Sequence, residues 1–380
     1  MIKADRLVAG SEEEQRVLAD SCPEDRPLTV QFCGRDPSVL ALAVHQALKS
    51  STGRYIDAFD LNLGCPQRCA ETGGWGAYLQ EEPELVSACV QAMVEAAAPV
   101  PVWCKIRVQT TAAETVSYGL RLQAAGCSVL AVHCRGRPTS RDDFHDTVPD
   151  YSHLGPLVSA LQIPVVANGG IDCTAEAERL VATTGCYAVM AATSLLRCPT
   201  AFASTPSIAD DADFDCAAAV DIAREYLALV KKFPPPSPLF ISKHLRWIFR
   251  AELQPAYAAA TLSAKVKRNR EKERRELSLP DDPAHAKQTN RFVSPGAWDD
   301  WRVRVWKFLA RPDLTEVSQF LEVVQFIAAH ASGDAGELAS ARTLKEIRLR
   351  HSQIAGGMRS ATQEAEEEFG FVDLFDNNGC

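Results

Sequence analysis

Six short apolar runs rich in β-branched residues recur along the first half of the chain: Leu28 to Cys33, Tyr55 to Leu63, Pro101 to Val108, Val129 to His133, Ile163 to Ala167 and Tyr187 to Ala191. Predominantly apolar runs of this kind are typical of parallel strands buried on both faces, and parallel strands need crossover connections long enough for a helix. The segments between them supply such helices. Glu84 to Ala98, Ala113 to Ala125 and Thr174 to Thr183 are rich in Ala, Glu or Leu, and each stops at Gly, Pro or a Thr/Gly turn. Up to about residue 195 the chain reads as a repeated β/α unit.

Two architectures accept such a repeat, and the placement of polar residues separates them. An open doubly wound sheet concentrates its signature in one early glycine loop, and no GxGxxG follows the first run. A (β/α)8 TIM-type barrel spreads its active site over the loops after several strands. Here Gln31, Asn62-Leu63-Gly64-Cys65-Pro66, Lys105 with Arg107, His133-Cys134-Arg135 and Asn168-Gly169-Gly170 all stand at or just after strand ends. The barrel is the expected fold. Its strand count falls short: with Met1 to Val8 as a poor seventh candidate, one strand and one helix of the eightfold set have no counterpart at the start.

From about residue 222 the pattern turns helical. Asp221 to Lys232 places Ile222, Tyr226, Leu229 and Val230 near helical spacing, and Ser242 to Leu253 follows the breaker Pro234-Pro235-Pro236. Beyond lie a charge-dense run, Lys265 to Glu276, a linker at Pro280 to Thr289, amphipathic helices at Ala297 to Ala310 and Thr315 to His330, and an acidic tail, Glu364 to Cys380. The expected division is a barrel over residues 1–205, a helical domain over 218–280, and linker, further helices and tail over 281–380.

Composition narrows the classes. Of 380 residues, 46% are hydrophobic and 23% charged, which excludes disorder of the whole chain. No uncharged apolar run reaches the roughly 18 to 20 residues that span a bilayer, and the first residues do not form a signal peptide, so an intracellular protein of cytoplasm or nucleus is expected. The 13 cysteines are scattered singly through apolar segments, which suits buried free thiols better than a disulfide framework. Cys65 and Cys69 form one CxxxC with no second pair to complete a zinc set, so no metal site is expected. A net charge of −9 argues against unselective polyanion binding but leaves room for a local basic surface.

The densest chemistry lies in Asp60-Leu61-Asn62-Leu63-Gly64-Cys65-Pro66-Gln67, followed by Gly73-Gly74-Trp75-Gly76. At a strand end this places a thiol, an amide and a tight turn together, although a cysteine buried in a turn has the same pattern. Gln31, Lys105, Arg107, His133 and Asn168, each at a strand end, add what is needed to hold a flat polar heterocycle. Lys105 could set positive charge on an electron-rich ring, and Gln31 could donate to and accept from an imide edge. The plainer alternatives are an ion pair for Lys105 or Arg107, a core histidine for His133 and a turn former for Asn168. Asn168-Gly169-Gly170 leads to the helix at Thr174, and Ala192-Thr193-Ser194 opens the next, the positions where these barrels cradle a phosphate.

Taken together, DLNLGCPQRCAETGGWGAYL, CKIRV, VHCRGR, PVVANGGI and VMAATSLL resemble the tRNA-dihydrouridine synthase family, in the form of the eukaryotic branch acting at uridines 16 and 17 of the D-loop. The resemblance covers about residues 1–250 and extends, less specifically, to HLRWIFR at His244 to Arg250. It implies FMN, NADPH as reductant, and reduction of the uridine C5=C6 bond in tRNA to 5,6-dihydrouridine. Hydride would pass from the flavin to C6 and a proton from Cys65 to C5, which requires Cys65 to hold its proton. It also implies flavin contacts from Gln31, Lys105, His133, Asn168, Gly169, Gly170, Ala192 and Thr193. Asn62 and Arg107 fall where the flipped base is held, and Lys243, His244 and Arg246 are candidates to grip tRNA, with Arg250 and the 265–275 run.

Two departures stand out. The family's first strand, with its Pro-Met segment, and first helix have no counterpart, and the arginine-rich stretch after the sixth strand ends here in Arg135-Gly136-Arg137-Pro138-Thr139-Ser140-Arg141. A chain beginning at Met1 is therefore expected to leave its barrel open beside its first strand and to be a poor enzyme, unless Met1 to Glu13 or a C-terminal segment fills the gap. The alternative functions are a flavin barrel reductase of a free small molecule and a truncated, inactive tRNA-binding homologue.

Overall fold

A computed structural model describes residues 1–138, 148–203, 216–235, 237–250, 252–253, 301–309, 314 and 317–331. The chain divides into two compact units, Met1–Ala192 and Thr193–Leu374.

The first unit is built on seven strands: β1 (Ile2–Lys3), β2 (Leu28–Cys33), β3 (Ile56–Leu63), β4 (Val102–Arg107), β5 (Val129–His133), β6 (Val165–Asn168) and β7 (Ala188–Met190). All neighbouring strands are parallel, and they lie side by side in chain order. The helices between them are α1 (Ala4–Val8), α2 (Glu12–Ala19), α3 (Pro37–Lys49), α4 (Arg68–Gly73), α5 (Pro83–Ala97), α6 (Ala112–Ala124), α7 (Leu154–Ala160) and α8 (Thr174–Thr184). This is the strand-and-helix repeat of a (β/α)8 TIM-type barrel, with seven strands among the described residues.

The apolar runs become strands for the expected reason. β3 is buried along nearly its whole length, with Phe59, Leu61 and Leu63 fully enclosed, and Phe59 stacks on Phe32 of β2 at 5.8 Å between ring centroids. Local sequence sets the helix starts. Asp36 accepts hydrogen bonds from the Ser38 and Val39 amides ahead of Pro37, the first residue of α3, and Thr111 with Glu114 forms a capping box on α6. Helix α3 turns Leu40, Ala43, Val44 and Ala47 inward and α5 turns Val86, Cys89, Val90 and Met93 inward, and the two pack together.

Only Ile2 and Lys3 of the Met1 to Val8 candidate are strand, and α1 begins at the next residue, burying Ala4 and Leu7. β1 pairs with β2 through Ile2 and Phe32 and through Lys3 and Cys33, and no pairing joins β7 back to β1 among the described residues. The Lys3 amide instead donates to Glu14 Oε2 of α2 at 3.2 Å. Glu14 is buried, and burial raises its carboxyl pKa above the usual range.

The second unit comprises α9 (Thr193–Arg197), α10 (Cys216–Lys232), α11 (Pro238–Ile248), α12 (Trp301–Leu309) and α13 (Val317–Ala331). Helix α10 buries Ala219, Val220, Ala223, Leu227 and Val230, α13 buries Phe320, Val323, Val324 and Ile327, and the two pack together. Ser237 caps α11 by accepting from the Leu239 amide, with Pro238 in the first turn. The charge-dense 265–276 run, the 280–289 linker, the 364–380 tail and the Thr139 to Arg141 end of the altered arginine stretch lie outside the described residues.

Candidate active site at the carboxyl ends of the strands

Strand register places the polar residues of successive strands side by side. Gln31 of β2 lies opposite Asp60 of β3, Asn62 opposite Lys105 of β4, Arg107 opposite His133 of β5, and His133 opposite Asn168 of β6. Paired residues share a face, as do residues two apart on one strand, so one polar layer runs across five strands at their carboxyl ends. This is the face on which such barrels build their sites.

Cys65 sits just beyond β3, 1% exposed, packed with Cys33, Ala70 and Trp75, with Tyr78 against the cluster. Its loop is held from several directions. Asn62 Oδ1 accepts from the Gly64 amide at 3.2 Å and the Cys65 amide at 2.9 Å. Arg107 Nε donates to the Gly64 carbonyl at 2.7 Å, and Arg107 Nη1 donates to the Gly136 carbonyl at 3.0 Å. The Ala77 amide donates to the Cys65 carbonyl at 2.9 Å, and the Tyr78 hydroxyl to the Pro66 carbonyl at 3.1 Å. Gly76, at φ +66°, lets this return segment approach: a Cβ there would fall 2.6 Å from the Cys65 carbonyl oxygen. Cys69, the other half of the CxxxC, is exposed.

Asn62 and Arg107, expected beside the base, are therefore buried residues that also shape the thiol loop. Asn62 Nδ2 donates to Gln31 Oε1 at 3.0 Å, and Gln31 Nε2 donates to Asp60 Oδ2 in a short hydrogen bond. Asp60 is 5% exposed, and its other oxygen, Oδ1, has no hydrogen-bond partner among the described residues. Burial pushes the Asp60 carboxyl up to about 6, against the opposing pull of the Gln31 hydrogen bond and the positive charge of Lys105. No role was expected for Asp60. The signal was present, because it stands two residues before Asn62 and so faces the same way.

The far side of the layer is cationic. His133 is held down to about 2, first by burial and then by Arg107, Lys105 and Arg135, so it is neutral at physiological pH. Arg135 Nη1 stands 3.1 Å from His133 Nε2. Guanidinium can only donate, so Nε2 accepts and the ring proton lies on Nδ1. Asn168 Nδ2 donates to the Met190 carbonyl at 2.8 Å, tying β6 to β7. Gly169 and Gly170 follow at φ +109° and +66°. A Cβ on Gly169 would sit 2.8 Å from His133 Cδ2, and the Tyr151 hydroxyl donates to the Gly169 carbonyl at 2.7 Å. Arg135 and Tyr151 were not among the expected site residues.

Bare glycine backbone beside three cations and a neutral histidine favours an anionic group, and Gln31, Lys105, His133 and Asn168 are residues of this layer that could hold one. Ala192 closes the first unit and is exposed, and Thr193 is the first residue of α9 in the second. Helix α11 carries Lys243, His244 and Arg246, all half-buried. Tyr226 hydroxyl and His244 Nδ1 are 2.9 Å apart. Burial, then the neighbouring Lys243, lowers the His244 pKa, and burial, then Arg246, lowers that of Lys243. Lys243 stands over the Phe240 ring and Arg250 over that of Trp247.

The family model "Dihydrouridine synthase (Dus)" matches residues 1–283. A Mus musculus protein named tRNA-dihydrouridine(16/17) synthase-like is 37% identical over 255 residues, 67% of this chain and 50% of that protein. The Schizosaccharomyces pombe tRNA-dihydrouridine(16/17) synthase is 33% identical over 234 residues, 60% of this chain and 55% of its own length. tRNA-dihydrouridine synthase B of Xanthomonas axonopodis is 32% identical over 171 residues, 45% of this chain and 49% of the relative. The chain spans about half the length of the curated relatives it matches.

Proposed function

Because the chain belongs to the dihydrouridine synthase family, we propose that it takes part in reducing uridine to 5,6-dihydrouridine in tRNA, at the D-loop, with FMN as cofactor and NADPH as reductant. One observation carries the reading. The loop that carries the buried Cys65 is held through its backbone by Asn62 and Arg107, next to a polar layer holding Gln31, Lys105, His133 and Asn168. Reduced FMN, when bound, would supply the hydride that C6 of uridine accepts.

The chain's own residues have the remaining work. Adding hydride at C6 leaves an electron pair at C5, conjugated with the O4 carbonyl, and a proton must arrive there. Cys65 is the proposed donor, and its apolar surroundings of Cys33, Ala70 and Trp75 suit an acid that must reach the reaction uncharged. Lys105 and Arg135, with Arg107, offset negative charge at the layer, and the Gln31 amide is bifunctional enough to meet an imide edge. Asn62 and Arg107 hold the loop that the extruded base must meet. Lys243, His244 and Arg246 on α11 are proposed to bind the phosphates of tRNA, outside any base-reading pocket.

The test is direct. The chain is reconstituted with FMN and supplied with NADPH and tRNA lacking dihydrouridine, and the product is digested and analysed by mass spectrometry. Dihydrouridine in the D-loop fragment is the expected product. A protein that takes up FMN and oxidises NADPH but leaves tRNA unchanged would point to a small-molecule reductase, and one that binds no flavin would overturn the reading.

A further inference from the structure

The thiol loop hangs on a chain of side-chain hydrogen bonds that has a direction. The Gly64 and Cys65 amides are both donors, so the Asn62 atom they meet must be its oxygen. That leaves the Asn62 nitrogen toward Gln31, which must present its own oxygen. The Gln31 nitrogen is then left facing Asp60, which must accept. Read from either end, the sequence of donors and acceptors is the same, so the acceptor at Asp60 and the two loop amides enforce one and the same orientation of both side-chain amides from opposite ends. Were Asp60 apolar, Gln31 could turn over and offer its nitrogen to Asn62. Asn62 would then be pulled between serving Gln31 and serving the two loop amides.

We propose that Asp60 is a positioning residue for proton transfer, setting the orientation of Gln31 and Asn62 and through them the backbone that carries Cys65. The inference deepens the dihydrouridine synthase reading and rests on it for the reaction, though not for the geometry. Asp60 acts through Gln31, whose amide it meets with one oxygen, Oδ2. The carboxyl's pKa of about 6 fits this role, since an acid protonated on Oδ1 still accepts through Oδ2. A single acceptor of the right shape is therefore enough, and negative charge is not required.

Two variants separate this role from packing and from charge. Asp60→Asn keeps an acceptor and loses the charge, whereas Asp60→Leu keeps the approximate volume and loses both. Each is made in the full chain, loaded with FMN, and followed by three measurements: NADPH oxidation, dihydrouridine formation, and hydrogen exchange of the Gly64 and Cys65 amides by mass spectrometry. Compared at equal FMN occupancy, Asp60→Leu should form dihydrouridine at least about tenfold more slowly relative to its own rate of NADPH oxidation, with faster exchange at both amides. Asp60→Asn should recover most of the loss and keep the amides protected. Equal behaviour of the two variants, whether both fail or both succeed, would overturn the proposal. Should Asp60→Leu not fold, a folded Asp60→Asn with unprotected loop amides would overturn it as well. If the parent makes no dihydrouridine, the activity reading fails, and the exchange measurement still decides the role of Asp60.

Discussion

At the scale of single residues the site combines one buried thiol with one buried carboxyl, and each makes a separate prediction. Cys65→Ala removes the proposed proton donor while leaving Gln31, Lys105, His133 and Asn168 in place. FMN binding and NADPH oxidation should survive, and dihydrouridine formation should fall by about 10²- to 10⁴-fold. Formation at the parent rate would assign the proton to another group. The second prediction concerns stability. A carboxyl raised from 3.8 to about 6 by burial binds its proton more tightly in the folded chain, so ionising it works against the fold. The penalty is absent below about pH 4 and complete above about pH 6, and a rise of roughly two units corresponds to about 3 kcal/mol. Asp60→Asn carries no such penalty. Its stability relative to the parent should therefore increase between pH 4 and pH 7, by up to that amount, in chemical denaturation. A difference that stays constant with pH would show that Asp60 titrates normally.

At the scale of elements, legibility followed the length of the signal. The β3 run is eight residues of strand, buried almost throughout, and its apolar pattern is unmistakable. β1 is two residues long, with a helix starting at Ala4, and no periodicity can be read from two residues. The polar residues at strand ends were visible as a group, but their partners were not. The pairing of Gln31 with Asp60 depends on the register of β2 against β3, and a local shift at Leu28 and Thr29 precedes that register. The capping of β1 by α2 was equally hidden, since Glu14 lies among Glu12, Glu13 and Gln15, which look alike in sequence. That cap yields a prediction. Glu14→Leu leaves the Lys3 amide without its acceptor and should cost about 1 to 3 kcal/mol. Glu14→Gln keeps an acceptor and sheds a carboxyl whose ionised form burial disfavours, so it should be neutral or stabilising at pH 7. Equal melting temperatures for both variants would mean that the contact contributes nothing.

At the scale of the whole molecule, a net charge of −9 and a proposed polyanionic substrate are compatible only if binding is local. Helix α11 supplies the local feature, with Lys243, Arg246 and, just past its end, Arg250 within eight residues. Neutralising these three to Gln should weaken tRNA binding and flatten its dependence on salt. About 0.7 to 0.9 of log–log slope is lost for each phosphate contact removed, so the three together should lower it by about 2 to 3. An unchanged slope would assign the cations to folding rather than to RNA. The sequence signal for a helical part is the change of hydrophobic period near residue 222, whereas the compact units divide between Ala192 and Thr193.

The order of the strands bears on how such a chain comes into being. Every strand lies beside the one synthesised just before it, so no strand must wait for a distant segment to find its neighbour. A chain emerging from the ribosome can extend the sheet one β/α unit at a time. β1 pairs with β2 over two residues, whereas β2 pairs with β3 over five. Along the chain the directional end of the site, Gln31 and Asp60, precedes its cationic side, Lys105, Arg107 and Arg135.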